Sequence, residues 1–345
     1  MFVRWNGQTV EADEAGRIPG LGDTAVIRRF DAPEALDTRF HEIRSRSALN
    51  HVPAGSRVPF EWTVNPYRGC SHACVYCFAR PTHEYLDLDA GRDFEKEIIV
   101  KVNAPEVLRR ELARPSWRRE HVAMGTNTDP YQWVEGRYKL MRGIWTALRD
   151  AATPASVLTK SPLLLRDIDL MREAGEAAEV TACLSVPTLD EQAWRATEPH
   201  TPHPRARLEA VAKLNAAGIP TGILIAPLLP GINDAPEQVE RIIALATEAG
   251  ATSIGGQVLF LHGAVRDIYF DWLRAYRPDL VPRYEQLYAG RGRLPPREAR
   301  AIERAAGLHN APRPSGKERP RHRGSAEAAR QRPGSVRPAR QESLF

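Results

Sequence analysis

The stretch NPYRGCSHACVYCFAR, residues 65–80, gathers Cys70, Cys74 and Cys77 within eight positions, and the whole 345-residue chain holds one further cysteine, Cys183. A chain of this length buries enough apolar surface to fold without disulfide staples, so the thiols are free for metal or redox chemistry. The spacing is Cys-x3-Cys-x2-Cys. Thiolates are soft ligands that suit iron–sulfur clusters and zinc, and a compact loop can wrap a cubane with three of them. Three ligands on a four-iron cubane leave one iron open, which is of little use for electron storage and of much use for binding a small molecule. The other reading is a Cys3His zinc site completed by His72 or His83. His72 lies between two of the ligands, where a short loop has difficulty turning its ring onto the same metal.

Outward from this loop the chain alternates short apolar runs with amphipathic segments, the pattern of β/α repeats on a parallel sheet. FEWTVN (60–65), HVAMGT (121–126), SVLTKS (156–161), VTACLSV (180–186), TGILIAPLLPG (221–231) and TSIGGQVLFL (252–261) read as six strands. Between them, residues 104–114, 136–151, 162–175, 204–218 and 236–250 read as helices. Pro162 suits a first helical turn, and Ser161 before it suits an N-cap; Gly218 and Gly250 suit helix ends. The expected fold is α/β, a partial (β/α)6 barrel of TIM-like type, and in such folds ligands sit at the carboxyl ends of the strands. Residues 1–57 read as an irregular extension of short strands and loops, 58–290 as the core, 291–307 as a helical segment and 308–345 as a tail.

The formal charge of +5 is a property of that tail, where nine Lys/Arg stand against three Glu, so the body is close to neutral. Rich in Pro, Gly, Ser and Arg, the tail cannot offset its ordering entropy by burial and is expected to be disordered, with its arginines offering nucleic-acid phosphates a grip. The first residues show no apolar signal core, and no run approaches the length of a membrane span. The expected address is the cytoplasm, with no membrane partner.

The Cys-x3-Cys-x2-Cys spacing, with Tyr76 before the last cysteine and the loop placed after the first strand of a β/α barrel, resembles the radical S-adenosylmethionine (SAM) superfamily. The wider string, residues 65–80, is similar to the branch containing spore photoproduct lyase and, within it, to an uncharacterised actinobacterial-type group; the resemblance covers about residues 40–290. It implies a 4Fe–4S cluster on Cys70, Cys74 and Cys77, with SAM chelated by the open iron. It also implies one-electron reduction by a partner such as flavodoxin or ferredoxin, and a 5′-deoxyadenosyl radical that abstracts hydrogen from a substrate. Tyr76 falls at the position that helps hold the adenine, and MGTNTDPYQ (124–132) falls where small polar groups meet the methionine amino group, which marks Gly125, Thr126 and Asn127. Lys160 falls where a lysine approaches the SAM carboxylate, and Ser185 where a serine reaches SAM. Arg195, Glu198 and Arg207 are expected SAM or substrate contacts, and Pro227 to Gly231 an adenine-packing segment.

The sequence departs from its named relative at one point. Spore photoproduct lyase returns hydrogen through a cysteine near the end of the second strand, where this chain reads Met124, Gly125 and Thr126. Cys183, on the fourth strand and on the same face as Ser185, is the remaining candidate hydrogen donor. Two function classes follow: a radical SAM enzyme acting on a substrate that the branch suggests is nucleic acid, with Tyr131 and Trp133 as aromatics for a groove, and a zinc-binding nucleic-acid module without SAM chemistry.

Overall fold

The computed structural model describes residues 10–12, 18, 25–30, 37–53, 56 and 58–311, so the tail reading lies almost wholly outside the described residues. The strands are β1 (Val10–Ala12), β2 (Val26–Phe30), β3 (Arg39–Ile43), β4 (Leu49–His51), β5 (Trp62–Val64), β6 (Tyr67–Arg68), β7 (Glu97–Lys101), β8 (Val122–Met124), β9 (Ala155–Thr159), β10 (Val180–Ser185), β11 (Thr221–Leu228) and β12 (Ile254–Val258). The helices are α1 (Arg92–Lys96), α2 (Ala104–Leu112), α3 (Glu135–Tyr138), α4 (Leu140–Asp150), α5 (Ile168–Ala177), α6 (Glu191–Thr197), α7 (Pro204–Ala216), α8 (Pro236–Glu248), α9 (Ala264–Tyr276), α10 (Val281–Leu287) and α11 (Pro296–Ala305). None of the described helices is long and apolar enough to cross a membrane.

The main sheet has the order β12-β11-β10-β9-β8-β5-β4. Six of its strands run parallel in sequence order from β5 to β12, and β4 adds an antiparallel edge. The end strands β4 and β12 do not pair, so the sheet is an open half-barrel, as six β/α units predict. One face is dry. Val122, Val157, Leu184, Ile223 and Ile225 pack there against Leu108, Trp145, Met171, Val211, Leu214 and Ile242 of the helices. Each such side chain contributes on the order of 1.5–3 kcal/mol by leaving water. The opposite face differs: in β10, Val180, Ala182 and Leu184 are buried while Thr181 and Cys183 between them are only half-buried.

Where local chemistry competes with periodicity, the elements depart from the simple pattern. The helix expected over residues 136–151 is two helices, broken at Lys139 (φ +54°). The buried carboxylate of Glu135 explains the break, because it accepts hydrogen bonds from Leu140 N (3.0 Å) and Met141 N (3.1 Å) and so caps the second helix with a residue of the first. Burial pushes Glu135 up to about 7, against the opposing pull of Arg166. Residues 162–167 form a 3-10 turn before α5, with Ser161 Oγ accepting from Leu163 N (3.2 Å) in the expected capping role.

A second sheet, β1-β2-β3-β7-β6, combines three strands of the N-terminal extension with β6, just before the cysteine loop, and β7, after it, and has no counterpart in the repeat reading. Its central pairing joins β3 of the N-terminal extension, in parallel, to β7. Glu97 anchors it, accepting from Arg39 Nε (2.8 Å) and meeting His41 Nε2 (2.7 Å). The β6–β7 pairing then delivers the chain into the cysteine loop.

Gly125, at the carboxyl end of β8, has φ +87°, and a Cβ there would stand 1.9 Å from the carbonyl oxygen of Leu158 on β9. Both the dihedral and the close approach demand glycine. Gly125→Ala is expected to lose at least about 3 kcal/mol of unfolding free energy in urea titration; a loss under about 1 kcal/mol would contradict the close approach.

Candidate active site

The cysteine loop follows β5 and β6 and carries no regular structure, so its shape is imposed by neighbours. Gly69 (φ +83°) begins it in a cradle where a Cβ would stand 2.9 Å from His83, Ile98 and the carbonyl oxygen of Phe94. Cys70 N donates to Phe94 O (3.0 Å), Cys77 N to Cys74 O (3.2 Å) and Val75 N to Thr197 O (3.1 Å). From the β8 side, Thr128 Oγ1 donates to Gly69 O (2.6 Å), and Gln132 accepts from Ser71 N (3.0 Å).

Arg80, three residues past the last cysteine, closes the loop from beneath. Its guanidinium, 1% exposed, donates to Cys74 O (3.0 Å), Ala73 O (3.3 Å), Ala90 O (3.2 Å) and Gly91 O (2.8 Å), and pairs with Glu95. Phe94 lies beside the same cation, 5.3 Å from ring centre to guanidinium carbon. Sequence reasoning missed this residue, because the carbonyls it serves come from two segments that only the fold brings together.

Cys70 and Cys74 are buried and Cys77 is half-buried. Burial raises the Cys70 thiol well above its ordinary value, and Asp129, Cys77 and Cys74 push in the same direction. Burial likewise raises Cys74, with Glu198 adding to it and Lys160 opposing. Cys77 is raised by burial while Arg80 and Lys160 pull it down. Three soft donors close enough to repel one another as anions, on one sealed loop, fit a cluster whose positive irons take up that charge. In a cubane each cysteine binds its own iron, so the sulfurs need not converge on a point. Among the described residues no three His, Cys, Asp or Glu side chains converge on a single ion. His83 Nε2 is hydrogen-bonded to Glu97 O (2.9 Å) and His72 Nδ1 lies 3.3 Å from Asp129 Oδ2, while the other ring nitrogen of each is buried with no hydrogen-bond partner.

The turn after β8 is built on Asn65 and Asp129. Asn65 Oδ1 accepts from Thr126 Oγ1 and Asn127 N, both 3.3 Å. Asp129 accepts from Thr159 Oγ1 (2.6 Å) and Lys160 N (2.8 Å) of the next strand end. Burial alone would raise its carboxyl; His72 and these hydrogen bonds outweigh that and hold it below the usual carboxylate value. Gly125, Thr126 and Asn127 therefore sit at the strand end beside the cysteine loop, with Asn127 exposed.

Five of the expected residues meet in one network. Tyr76 donates its hydroxyl to Glu198; Lys160 Nζ lies 2.7 Å from Glu198 Oε1 and 2.7 Å from Ser185 Oγ; and Arg207 Nη2 lies 2.6 Å from Glu198 Oε2. Arg207 also holds Ser185 O (2.9 Å) and Pro202 O (2.9 Å). Lys160 stands 5.6 Å from the Tyr76 ring centre. Glu198 and Arg207 are each 0% exposed while Lys160 keeps 16%, so the buried pair acts through Tyr76, Lys160 and Ser185 and presents no surface of its own. Burial would raise the Glu198 carboxyl, yet Arg207, Lys160 and the Tyr76 hydroxyl hold it far below its ordinary value.

Other expectations fall elsewhere. Arg195 lies on the outer surface of α6, 2.7 Å from Glu191, and is not brought into the network. Tyr131 is fully buried, bonded to Asp167 (3.0 Å) and Trp145 (2.8 Å), so it lines no groove. Trp133 donates to His200 O (2.7 Å). Cys183 stays on the half-buried face of β10, two positions before Ser185. The Pro227–Gly231 segment spans the last two residues of β11 and the turn after it, where Asn233 Nδ2 donates to Pro227 O (3.0 Å).

An open β/α half-barrel, with a three-cysteine loop after its first parallel strand and a polar network across the next strand ends, is the arrangement of a radical SAM protein. The family model of the Radical SAM superfamily matches residues 64–246, more than half of the chain, and the chain belongs to that superfamily. It is 45% identical over 323 residues to uncharacterised proteins of Mycobacterium tuberculosis and Mycobacterium bovis, covering 92% of this chain and 95% of theirs. Over 183 residues it is 28% identical to an uncharacterised protein of Methanocaldococcus jannaschii, which covers 53% of this chain and 64% of that protein. Its fold is similar to that of spore photoproduct lyase complexed with dinucleoside spore photoproduct, with TM-score 0.57, 15% identity and 78% of each chain covered. A mutant of that enzyme with bound AdoMet matches at TM-score 0.53, 15% identity and 74% of each chain. The protein is thus a radical SAM enzyme, and SAM and an iron–sulfur cluster are the cofactors its family implies.

Two outcomes follow from the buried charges. Arg80→Met leaves four buried carbonyls and Glu95 without their donor, and should cost about 3–5 kcal/mol in denaturant unfolding. Full stability of that variant would show that the loop does not depend on it. Glu198 is depressed in the folded state from an ordinary value of 4.5, so its contribution is complete above that value and declines as pH falls below it. The stability difference between wild type and Glu198→Gln should be constant from neutral pH to near that value and shrink in acid; a difference that grows in acid would contradict the assignment.

Proposed function

We propose that Cys70, Cys74 and Cys77 hold a 4Fe–4S cluster and that SAM lies between it and the Tyr76–Lys160–Ser185 edge. The observation that carries this reading is the meeting of the cysteine loop and that edge at the carboxyl ends of β5, β9 and β10, tied through Tyr76 and Glu198. When bound and reduced, the cluster supplies one electron that cleaves SAM to methionine and a 5′-deoxyadenosyl radical able to abstract hydrogen.

The chain's own residues supply binding and orientation. Lys160, the one cation of the network with exposed surface, suits the SAM carboxylate, and Glu198 holds its ammonium group in place. Tyr76 offers a ring fixed by its hydroxyl bond to Glu198, and the backbone from Gly125 to Asn127 offers polar groups at the next strand end. Arg207 fixes Glu198 and the Ser185 carbonyl without contacting ligand. Since Met124–Thr126 hold no thiol, hydrogen return by the lyase route has no donor at that place, and Cys183 is the candidate donor on the sheet. The substrate class we assign is nucleic acid, with a flavodoxin or ferredoxin as electron donor.

Anaerobic reconstitution tests the reading. A brown protein with about four irons per chain, bleached by dithionite and forming 5′-deoxyadenosine from SAM, is expected, and Cys70→Ala, Cys74→Ala or Cys77→Ala should each abolish both colour and product. A colourless protein holding one zinc per chain after the same treatment would overturn it. Lys160→Ala should keep the iron and weaken SAM binding by about tenfold or more, the loss of a charge-assisted contact.

A further inference from the structure

Cations withdrawn from water in this protein are, as a rule, matched. Arg80 meets Glu95, Arg166 meets Glu135 and Arg207 meets Glu198. Arg266, which has no carboxylate, donates to Tyr288 O (2.8 Å) beside the Phe270 ring. Two half-buried cations stand outside this rule. Among the described residues, neither the Arg68 guanidinium nor the Lys101 ammonium makes a hydrogen bond or an ion pair.

The two belong to one place. In the antiparallel pairing of β6 with β7, Arg68 stands opposite Ile99, and Lys101 lies two residues further along β7, so both side chains leave the same face of the second sheet. Diagonal positions of this kind are about 7–8 Å apart, within reach of long side chains. Lys101 also pairs with Ile43 of β3, and Ile43 and Ile99 are buried on this face with Ile18 and Leu86. The charges therefore sit against apolar side chains, in part withdrawn from water. Burial first, and then the Arg68 charge, pull Lys101 down from an ordinary value of 10.5 to about 8, with Glu111 opposing. Glu111 gives its carboxylate elsewhere, to Ser47 Oγ (2.8 Å) and to the backbone nitrogens of Ala48 and Leu49 (both 2.9 Å). Tyr85, exposed on the turn after the cysteine loop, lies near the Arg68 charge and brings a hydroxyl to the same neighbourhood.

A cation withdrawn from water is costly unless an anion meets it, and a second cation at its side adds to that cost. Folding alone would favour apolar side chains at both positions. We infer that Arg68 and Lys101 form an anion site that takes a phosphoryl group, as free phosphate or as a phosphate monoester. Two cations call for a charge near −2, which a phosphate monoester carries at neutral pH and a carboxylate does not. Its oxygens also suit the pair, since a guanidinium fork meets two of them and an ammonium a third. Neither residue belongs to the Tyr76–Lys160–Ser185 edge, so the site stands whether or not SAM lies there.

Lys101 itself reports occupancy. An amine that titrates near 8 is partly free base at that pH and reacts with acylating reagents, whereas one held by phosphate is charged and covered. In the reconstituted full-length protein at pH 8, Lys101 acetylation by an N-hydroxysuccinimide ester is followed by mass spectrometry, with the exposed Lys139 as internal control. Inorganic phosphate is titrated in, with sodium chloride holding the ionic strength constant. Protection should saturate: at ten times the Kd about one eleventh of the sites remain free, so Lys101 should react about tenfold more slowly while Lys139 is unchanged. No protection by phosphate, protection matched by acetate, or equal slowing at Lys139 would each overturn the site. A nucleoside 5′-monophosphate that protects at lower concentration than inorganic phosphate identifies an organic phosphate as the ligand, and equal potency identifies free phosphate. Protection by the parent nucleoside as strong as that by its monophosphate would overturn the phosphoryl assignment.

Two variants complete the test. Arg68→Met should raise the protecting phosphate concentration by about tenfold or more, the loss of a charge-assisted contact, and an unchanged concentration would remove Arg68 from the site. Lys101→Met is read by thermal unfolding and needs no labelling. Without phosphate it should unfold no lower than wild type, and phosphate should raise the wild-type midpoint alone; an equal rise in both proteins would place the anion elsewhere and overturn the inference.

Discussion

A loop that must present three thiols to one cluster cannot be left to choose its own shape, and this one has no ladder of backbone hydrogen bonds to fix it. Arg80 supplies the missing constraint. Its planar fork reaches carbonyls at Ala73 and Cys74 inside the loop and at Ala90 and Gly91 in the segment leading into α1. Only a guanidinium presents enough donors in a fixed plane to serve both segments; an ammonium would satisfy some and strand the rest. Burying the cation is costly, and the pairing with Glu95 together with the four carbonyl bonds offsets that cost. Because the same segment carries the Phe94 carbonyl that receives Cys70 N, one side chain ties both ends of the cysteine loop to a single support.

Glu198 plays the corresponding part on the other side of the site. Fully buried, it joins Tyr76 from the cysteine loop, Lys160 from the end of β9 and Arg207 from α7, so three elements are located relative to one another by one carboxylate. Two cations around one anion leave the cluster of charges positive on the side that Lys160 exposes. That surplus faces the place proposed for the carboxylate of SAM. Removing Glu198 would therefore free Lys160, unpair Arg207 and loosen Tyr76 together, which is why its role is positional and cannot be reduced to one contact.

The six parallel strands were legible because each is a short apolar run bounded by turn residues, and the alternation in VTACLS is the mark of a strand covered on one face. The helices between them were legible from their amphipathic spacing and from Pro and Ser at their starts. The second sheet was not legible, since β7 finds its partner β3 more than fifty residues earlier and nothing local announces that pairing. The same limit applies to the site. Tyr76, Lys160, Ser185, Glu198 and Arg207 could be singled out from a family resemblance, but Arg195 carried the same credentials as Arg207. Only the fold separates them, by turning Arg207 inward to Glu198 and leaving Arg195 beside Glu191 on the surface. Arg80 was invisible for the opposite reason, because its partners are backbone atoms and leave no trace in residue types.

The alternation that identified β10 also constrains what the protein can do. A sheet with helices on one side only must either cover its other face or leave it wet, and here Leu158 and Leu224 share that face with Ser156, Thr181, Cys183 and Gly255, all of them half-buried. Filling it with Leu and Ile, as a closed barrel does, would bury more apolar area and add several kcal/mol on the order of 1.5–3 per side chain. At Ser156, Thr181, Cys183 and Gly255 the chain forgoes that burial. The two leucines keep part of the apolar burial that a closed barrel would have, and the four small or polar positions between them keep the face half-open.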